Sequence, residues 1–394
     1  MKILHWYPNL LRGGAVANGV LGLSHSQAKL GADVVIATAS TTTEPLYYSI
    51  ERPKDVELFE WHPRWFMNFQ GRGLRILSRN TIKKLQSFEP EIVHVHGEFN
   101  IDNLHACRIF HCPVVLSPRG AFAPRLLKRG VGLWGGKYAY LKLAKKILYE
   151  KVVAFHGLSP LEKVQIEELL PTSHVYCAAQ GPNLHLEKYL IPGVRDGSFD
   201  AIQLVCVGRL DVYTKGLDYL VQAFAYAVKR MQGKRLCLRL IGPDCRGGKE
   251  HLKRLARSLG VLGQITFEGV VIGKELIQAL KASDIYVQMS RYDGFGQSVC
   301  EALLMNKPAI LSREIGCISY ADIEDMSHIR KVHLNGSEAG DAIIDFAGRL
   351  NELNSLANFH SSQLKNIFSW ESAARAHLNA YAQFSGSRLP AYSN

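Results

Sequence analysis

Short runs of β-branched and aliphatic residues recur along this chain, each followed by a stretch of helical length, and the pattern starts over near the middle. Parallel strands need a long crossover between them, and strand–helix alternation supplies it. In the first half KILHW (2–6), DVVIATA (33–39), IVHVH (92–96), PVVLS (113–117) and VVAFHG (152–157) read as strands. Helices are expected at 15–30, stopped by Gly31, and near 73–88, 99–110 and 136–151. In the second half the strands are IQLVCVG (202–208), LCLRLIG (236–242), QITFEG (264–269), DIYVQ (284–288) and PAILS (308–312), with helices near 216–231 and 249–259. SWESAARAHLNAYAQF (369–384) reads as an amphipathic helix N-capped by Ser369 or Ser372. Between the two sets, EKYLIPGVRDGSFDA (187–201) is polar and holds Pro and Gly, which marks a linker. The expectation is two doubly wound α/β domains, 1–186 and 202–368, with a ligand crevice at the carboxyl ends of their strands.

The 394 residues are 47% hydrophobic and 21% charged, which excludes wholesale disorder. Lys and Arg exceed Asp and Glu by 47 to 35, a net +12 that points to anionic ligands, an anionic surface or nucleic acid. The eight Cys form no C-x-x-C pair and no zinc-type cluster, so buried free thiols in a reducing compartment are expected. The N-terminal MKILHWYPNLLRGG does not read as a secretory signal, and no run of about 18 apolar residues is present. A cytoplasmic protein is expected.

Three segments can carry chemistry. In SRYDGFGQSVCEALLMNKPAIL (290–311), Asp293 and Glu301 are eight apart, and Gly294, Phe295 and Gly296 open a helix. Free N–H groups at such a terminus, together with carboxylates, suit a ligand rich in hydroxyls. A merely capped helix with a solvated Glu301 is the plain alternative. In VGRLDVYTKGLDYLVQAF (207–224), Arg209 and Lys215 fall in a strand-to-helix loop, where two cations suit a diphosphate. In YPNLLRGGAVANG (7–19), Gly13 and Gly14 precede the first helix, but neither G-x-G-x-x-G nor a Walker lysine is present.

In this order the segments resemble the family 4 glycosyltransferases, retaining enzymes with two facing Rossmann-like domains, the GT-B fold. FSWESAA (368–374) is similar to the family's C-terminal helix, which crosses back onto the N-terminal domain, here residues 369–394. The resemblance implies a nucleoside-diphosphate sugar as co-substrate, no metal and no other cofactor. Arg209 and Lys215 would neutralise the departing diphosphate, whose own oxygen serves as base. Glu301 would accept from ribose hydroxyls, and Asp293 would touch the transferred sugar. Backbone donors from Gly294 to Ser298, chiefly Phe295, Gly296 and Gln297, would assist. Gly13 and Gly14 would approach phosphate or acceptor. Gly242 and Val270 fall on the donor side, with the base near Gly269–Val271.

Two departures stand out. Asp293 replaces the family's Glu and is shorter by about 1.5 Å, one carbon–carbon bond. SPRGAF (117–122) puts Pro118 and Arg119 where many relatives carry His, as in some polysaccharide-building branches. Arg119 is a candidate for donor phosphate or an anionic acceptor; bracing of the loop is the alternative. His94 and His96 point to one face of a strand, but no third metal ligand is evident, so satisfied histidines are expected, with His96 also an acceptor-side candidate. From Arg119 to Lys151 nine cations meet one acid, interleaved with Trp134, Tyr138, Tyr140 and Tyr149. An anionic membrane face or an acidic saccharide fits this stretch, as does a solvated helix; no nucleic-acid module is recognisable. The acceptor expected is a saccharide, lipid-linked in surface polysaccharide synthesis. A sugar-nucleotide epimerase, an NAD enzyme and a non-catalytic carbohydrate- or membrane-binding protein are the rival readings; the missing G-x-G-x-x-G speaks against NAD.

Overall fold

The computed structural model describes residues 1–40, 53–62, 64–65, 75–128, 136–187, 189, 191, 201–231, 233 and 235–385. Most of the expected linker, and Trp134 of the basic stretch, lie outside the described residues. The chain divides into two compact units, Met1–Leu184 with Ser369–Asn394, and His185–Phe368.

The sheet of unit 1 contains β1 (Lys2–Trp6), β2 (Asp33–Ala39), β3 (Glu57–Trp61), β4 (Ile92–His96), β5 (Val114–Ser117), β6 (Val152–Gly157) and β7 (Val175–Cys177). Its order is β3-β2-β1-β4-β5-β6-β7, every pair parallel. Unit 2 repeats the plan with β8 (Ala201–Val207), β9 (Arg235–Ile241), β10 (Ile265–Gly269), β11 (Ile285–Gln288), β12 (Ala309–Ser312) and β13 (Ile329–Val332). Their order is β10-β9-β8-β11-β12-β13, again parallel. Each unit is thus a Rossmann-like sheet that reverses direction between its first and fourth strands, the switch point where ligands of such folds bind.

The helices that matter below are α1 (Ala15–Lys29), α2 (Pro160–Leu169), α3 (Leu217–Arg230), α4 (Gly248–Ser258), α5 (Gln297–Leu304), α6 (Gly336–Gly348) and α7 (Trp370–Ala382). In unit 2, α3 and α6 cover one face of the sheet, packing Leu220, Phe224, Ile343 and Phe346 against Leu204 and Leu238. Three expected helices are shorter than their hydrophobic pattern. The one near 73–88 is Arg79–Gln86, because the Ser78 hydroxyl accepts the Thr81 N–H and sets the start there. The one near 99–110 is Asn103–Ile109, since Asn100 folds the preceding residues into a turn that accepts from Asp102 and Asn103. The third ends at Ile147, followed by a 3-10 turn over Tyr149–Lys151.

The two faces of the unit 1 sheet differ in chemistry. Leu4, Trp6, Val93, Val95, Val114, Leu116 and Phe155 form an apolar core on one. On the other, Ile3, Ile92, Val115 and Ala154 pack against Tyr381 of α7, while farther along the same strands come His5, His94, His96, Ser117 and His156. Helix α7 also lies along α1. Ser369 caps it, accepting from the Ser372 N–H at 2.9 Å, and Trp370 packs with Leu23 and donates from Nε1 to the Pro182 carbonyl at 2.8 Å. The Trp370 ring fills the space that a side chain at Gly22 or Gly181 would need.

Trp370→Ala is expected to destabilise unit 1 by about 3–5 kcal/mol, the usual cost of truncating a buried aromatic. Denaturant unfolding followed separately for the two units checks this; an unchanged unit 1 midpoint would show that α7 adds nothing to its stability.

Candidate functional site

Unit 2 gathers the expected residues around the carboxyl ends of β8 and β11. The loop after β8 is tightened by Asp211, whose carboxylate accepts from the Thr214 N–H at 3.0 Å and its hydroxyl at 2.9 Å. It ends at Gly216, which caps α3 at φ +58°; a side chain there would fall onto the Met289 carbonyl. The loop is therefore seated directly on the segment that follows β11. Arg291 fastens the same junction from outside. It donates twice to Asp218, at 2.8 and 2.6 Å, and lies over the rings of Tyr213 and Tyr219.

Across this junction Lys215 Nζ meets Asp293 Oδ2 at 2.6 Å, each side chain 18% exposed. Gln288 Nε2 donates to the same carboxylate oxygen at 3.1 Å and to Ser290 Oγ at 3.0 Å. The Tyr286 hydroxyl, kept neutral by burial that raises its pKa, donates to Gln288 Oε1 at 2.9 Å. Asp293 is thus held by a lysine from one loop and an amide from a strand. Its main chain bridges to Ile315, with Asp293 N–H donating to Glu314 and Gly316 N–H to Asp293.

Gly294 and Phe295 lead to Gly296, which caps α5 at φ +88° and has no side chain to offer the first N–H groups. Phe295 is buried edge-on against Phe368. The Gln297 Nε2 is buried without a hydrogen-bond partner among the described residues. Ser298 is already engaged: its hydroxyl donates to the Val207 carbonyl at 3.0 Å and lies 2.9 Å from the Tyr286 hydroxyl. Glu301, one turn on, is 5% exposed, so the solvated carboxylate of the plain alternative is not what the structure shows. Arg209 is exposed and forms no ion pair among the described residues, in contrast to Lys215. Gly242 presses on the end of β8, where a side chain would strike the Gly208 carbonyl, and donates to Gly269 at 2.6 Å. Val270 and Ile272 are exposed apolar residues just beyond.

The remaining candidates belong to unit 1. Gly13 and Gly14 have φ +71° and +88°, and Gly14 caps α1 without a side-chain bond. Arg119 has the left-handed φ of +58° and sends its side chain inward. It donates to Gln180 Oε1 at 2.8 Å and to His96 Nδ1 at 3.1 Å, and burial lowers its pKa to about 10. His96 is fully buried, with its other nitrogen 2.8 Å from His5 Nδ1; that placement argues against an acceptor contact and makes it part of an interior network. The absence of a third imidazole is corrected by the fold. His5 joins His94 and His96, and His156 and His377 join His94, with one ring nitrogen from each within 4.8 Å of the others in each trio. An ion at either trio would have to strip His94 from its partners, Ser117 Oγ and the Tyr381 hydroxyl, both at 2.6 Å.

Sequence reasoning passed over Tyr286, Gln288 and Ser290. Their i, i+2, i+4 spacing in DIYVQMS was the available signal, since it puts three polar groups on one face of a strand. It also passed over Glu98, directly after β4. Burial raises its carboxyl to about 7, and the Tyr149 hydroxyl donates to it at 3.0 Å.

Two family models match, in chain order: Glycosyltransferase Family 4 over residues 13–176 and Glycosyl transferases group 1 over residues 201–332. Among curated proteins, the mannosylfructose-phosphate synthase of Agrobacterium fabrum is 29% identical over 118 residues, 29% of this chain and 26% of that one. D-inositol 3-phosphate glycosyltransferase 2 of Catenulispora acidiphila is 30% identical over 191 residues, 47% and 44% of the two chains. The matched part of this chain thus spans less than half the length of either relative. Among solved structures, sucrose-phosphate synthase from Thermosynechococcus elongatus superposes with TM-score 0.75 at 19% identity, covering 98% of this chain and 100% of that one. Anabaena HepE in complex with UDP and glucose gives 0.68 at 14% identity, covering 97% and 100%. These two likenesses bear on the fold.

Gly216→Ala is expected to destabilise unit 2 by more than about 1 kcal/mol, because the left-handed φ and the Met289 carbonyl both oppose a side chain. A thermal melt of unit 2 indistinguishable from wild type would show that the loop can move off Met289.

Proposed function

The chain belongs to the family 4 glycosyltransferases, and from that premise we propose that it transfers a hexose-type sugar from a nucleoside-diphosphate sugar, with retention, to a saccharide acceptor. The observation that carries this reading is the Lys215–Asp293 pair at the switch point of unit 2, its lysine in the same loop as an exposed Arg209. A diphosphate arriving there gains from Arg209, from the glycine-capped N-terminus of α5 and from Lys215, whose ammonium Asp293 and the junction hold in place. Charge grows on the diphosphate as the glycosidic bond breaks, so preorganised cations act more strongly on the transition state than on the bound donor. The leaving phosphate oxygen takes the acceptor's proton on the same face, which gives retention and needs no separate protein base. In this reading Glu301 receives the ribose hydroxyls. Asp293, shorter than the family's Glu and already bound to Lys215 and Gln288, orients the lysine as much as it contacts the sugar. The cations and helix terminus do the work that a metal does elsewhere, so the reaction proceeds without one.

A lipid-linked acceptor of surface polysaccharide synthesis fits the N-terminal unit. Lys142, Lys145 and Lys146 are exposed with Leu143 on the helix Gly136–Ile147, an arrangement suited to the anionic face of a membrane. Among the described residues no helix is long and apolar enough to cross one. Free cysteines, four of them buried and four partly buried, accord with a reducing, cytoplasmic setting.

A thermal-shift panel of nucleoside diphosphates and nucleotide sugars identifies the base, since a bound ligand raises apparent stability. With the donor so found, Arg209→Ala and Lys215→Ala are each expected to slow acceptor-dependent release of nucleoside diphosphate by roughly 100-fold. Near-normal turnover in both variants would remove the mechanism. Conversion of donor without acceptor would favour an epimerase, and binding without any release of nucleoside diphosphate a non-catalytic protein.

A further inference from the structure

The buried histidines of unit 1 form two hydrogen-bond chains whose direction can be worked out atom by atom. A carbonyl only accepts, so the Ala178 oxygen, 3.0 Å from His156 Nε2, fixes the proton on that nitrogen. Neutral His156 then accepts at Nδ1, and the hydroxyl 2.6 Å away, Ser117, must donate to it. Its one proton spent, Ser117 Oγ accepts from His94 Nε2 at 2.6 Å. His94 Nδ1 is left as an acceptor, and it takes the proton of the Tyr381 hydroxyl at 2.6 Å. The second chain starts from a group that only donates. Arg119 gives to His96 Nδ1 at 3.1 Å, His96 Nε2 to His5 Nδ1 at 2.8 Å, and His5 Nε2 to Gln27 Oε1 at 2.7 Å. With every ring neutral, each of these bonds has one proton and no two donors face each other.

An added proton reverses this order. On His156 Nδ1 it makes Ser117 Oγ the acceptor, so the hydroxyl donates instead to His94 Nε2 and the His94 proton moves to Nδ1. On either ring, His94 Nδ1 ceases to accept from Tyr381 and an imidazolium is left buried in the sheet. Tyr381 is contributed by α7 along with His377, 2.8 Å from the Tyr176 hydroxyl. The surroundings offer little compensation for positive charge. The groups facing the chains are His5 from β1, Tyr7 after it, His94 and His96 from β4, His156 from β6, Tyr176 from β7, His377 and Tyr381 from α7, Arg119 after β5, and Glu162 from α2. Arg119 is already a cation, and the Glu162 carboxylate is engaged by the Gly120 and Leu158 N–H groups. The Glu371–Arg375 pair of α7 lies on its exposed side.

We propose that α7 is fastened to unit 1 by a proton-ordered latch, in which Tyr381 is held by the acceptor nitrogen of a neutral His94, and that acid releases this helix from the sheet. Burial agrees in sign: it lowers His5 to about 4 and His156 to about 3, and holds His94, His96 and His377 well below 6.5. Groups with depressed folded-state values stabilise the docked state fully above about pH 6.5. They withdraw that stability as pH falls from there, because the released state binds more protons.

The test is hydrogen exchange by mass spectrometry on the full chain between pH 7.5 and 4.5, corrected for the intrinsic rate at each pH. Peptides of α7 are read against peptides of α3 in unit 2. The expected result is that α7 loses protection on acidification, beginning below about pH 6.5, while α3 stays protected. His156→Gln keeps a donor and an acceptor but cannot be protonated, and should make the α7 transition shallower and move it to lower pH. If that variant does not fold, Tyr381→Phe serves instead. It leaves His94 Nδ1 without its donor and should cut α7 protection at pH 7.5 by roughly tenfold. Protection of α7 that persists to pH 4.5, that falls together with α3, or that responds identically in wild type and His156→Gln would overturn the proposal, as would unchanged protection in Tyr381→Phe.

Discussion

Parallel pairing of the first strand with the fourth, in both units, is the constraint from which the other features follow. Leu204 beside Ile285 and His5 beside His94 are neighbours far apart in sequence, joined by crossovers that must leave and re-enter the sheet. At that join the loops on either side turn away from each other, and the carboxyl ends of two strands open onto common ground. In unit 2 this brings a lysine and an aspartate 78 residues apart to 2.6 Å. The same join in unit 1 places the residues after β1 and β4, including Gly13, Gly14 and Glu98, at one edge of the sheet.

The two units use their buried polar groups differently. In unit 2 the polar face of β11 leads outward: Tyr286 to Gln288, Gln288 to Asp293, Asp293 to Lys215. A charged, partly exposed end is thereby held by a neutral, fully buried beginning, which fixes the pair without relying on flexible side chains alone. In unit 1 the polar face of the sheet leads inward and ends on the helix that closes the chain. Its members are neutral imidazoles and hydroxyls, so their burial carries the cost of desolvating dipoles rather than ions, and that cost is offset when each finds its partner. Arg119 is the exception, a partly buried cation beside the histidines, and its presence is one reason why they stay unprotonated.

Asp293 carries contacts within the protein beside the role that the resemblance implies for it. The resemblance assigned it to the sugar. The structure gives its carboxylate to Lys215 and Gln288, within a loop whose backbone is fixed by Glu314 and Gly316.

The central strands were legible in the amino-acid sequence because burial on both faces demands unbroken apolar, β-branched runs, as in DVVIATA and IQLVCVG. So was the start of α7, since a serine before a helical pattern has one evident use. The edge strands β3, β7 and β13 were not: ELFEW, VYC and IRKV bury only part of their surface, and their charged or short segments imitate loops. The cations Arg209 and Lys215 and the turn before Gln297 were visible as types in a local order. The sequence therefore determined which segments become strands and which loops carry charge, because hydrophobic periodicity and turn chemistry act over a few residues. Only the tertiary structure decided that Lys215 meets Asp293, that Arg119 turns inward, and that five histidines from four elements share one interior. Those pairings are set by strand order and by the direction of individual hydrogen bonds, neither of which leaves a mark on neighbouring residues.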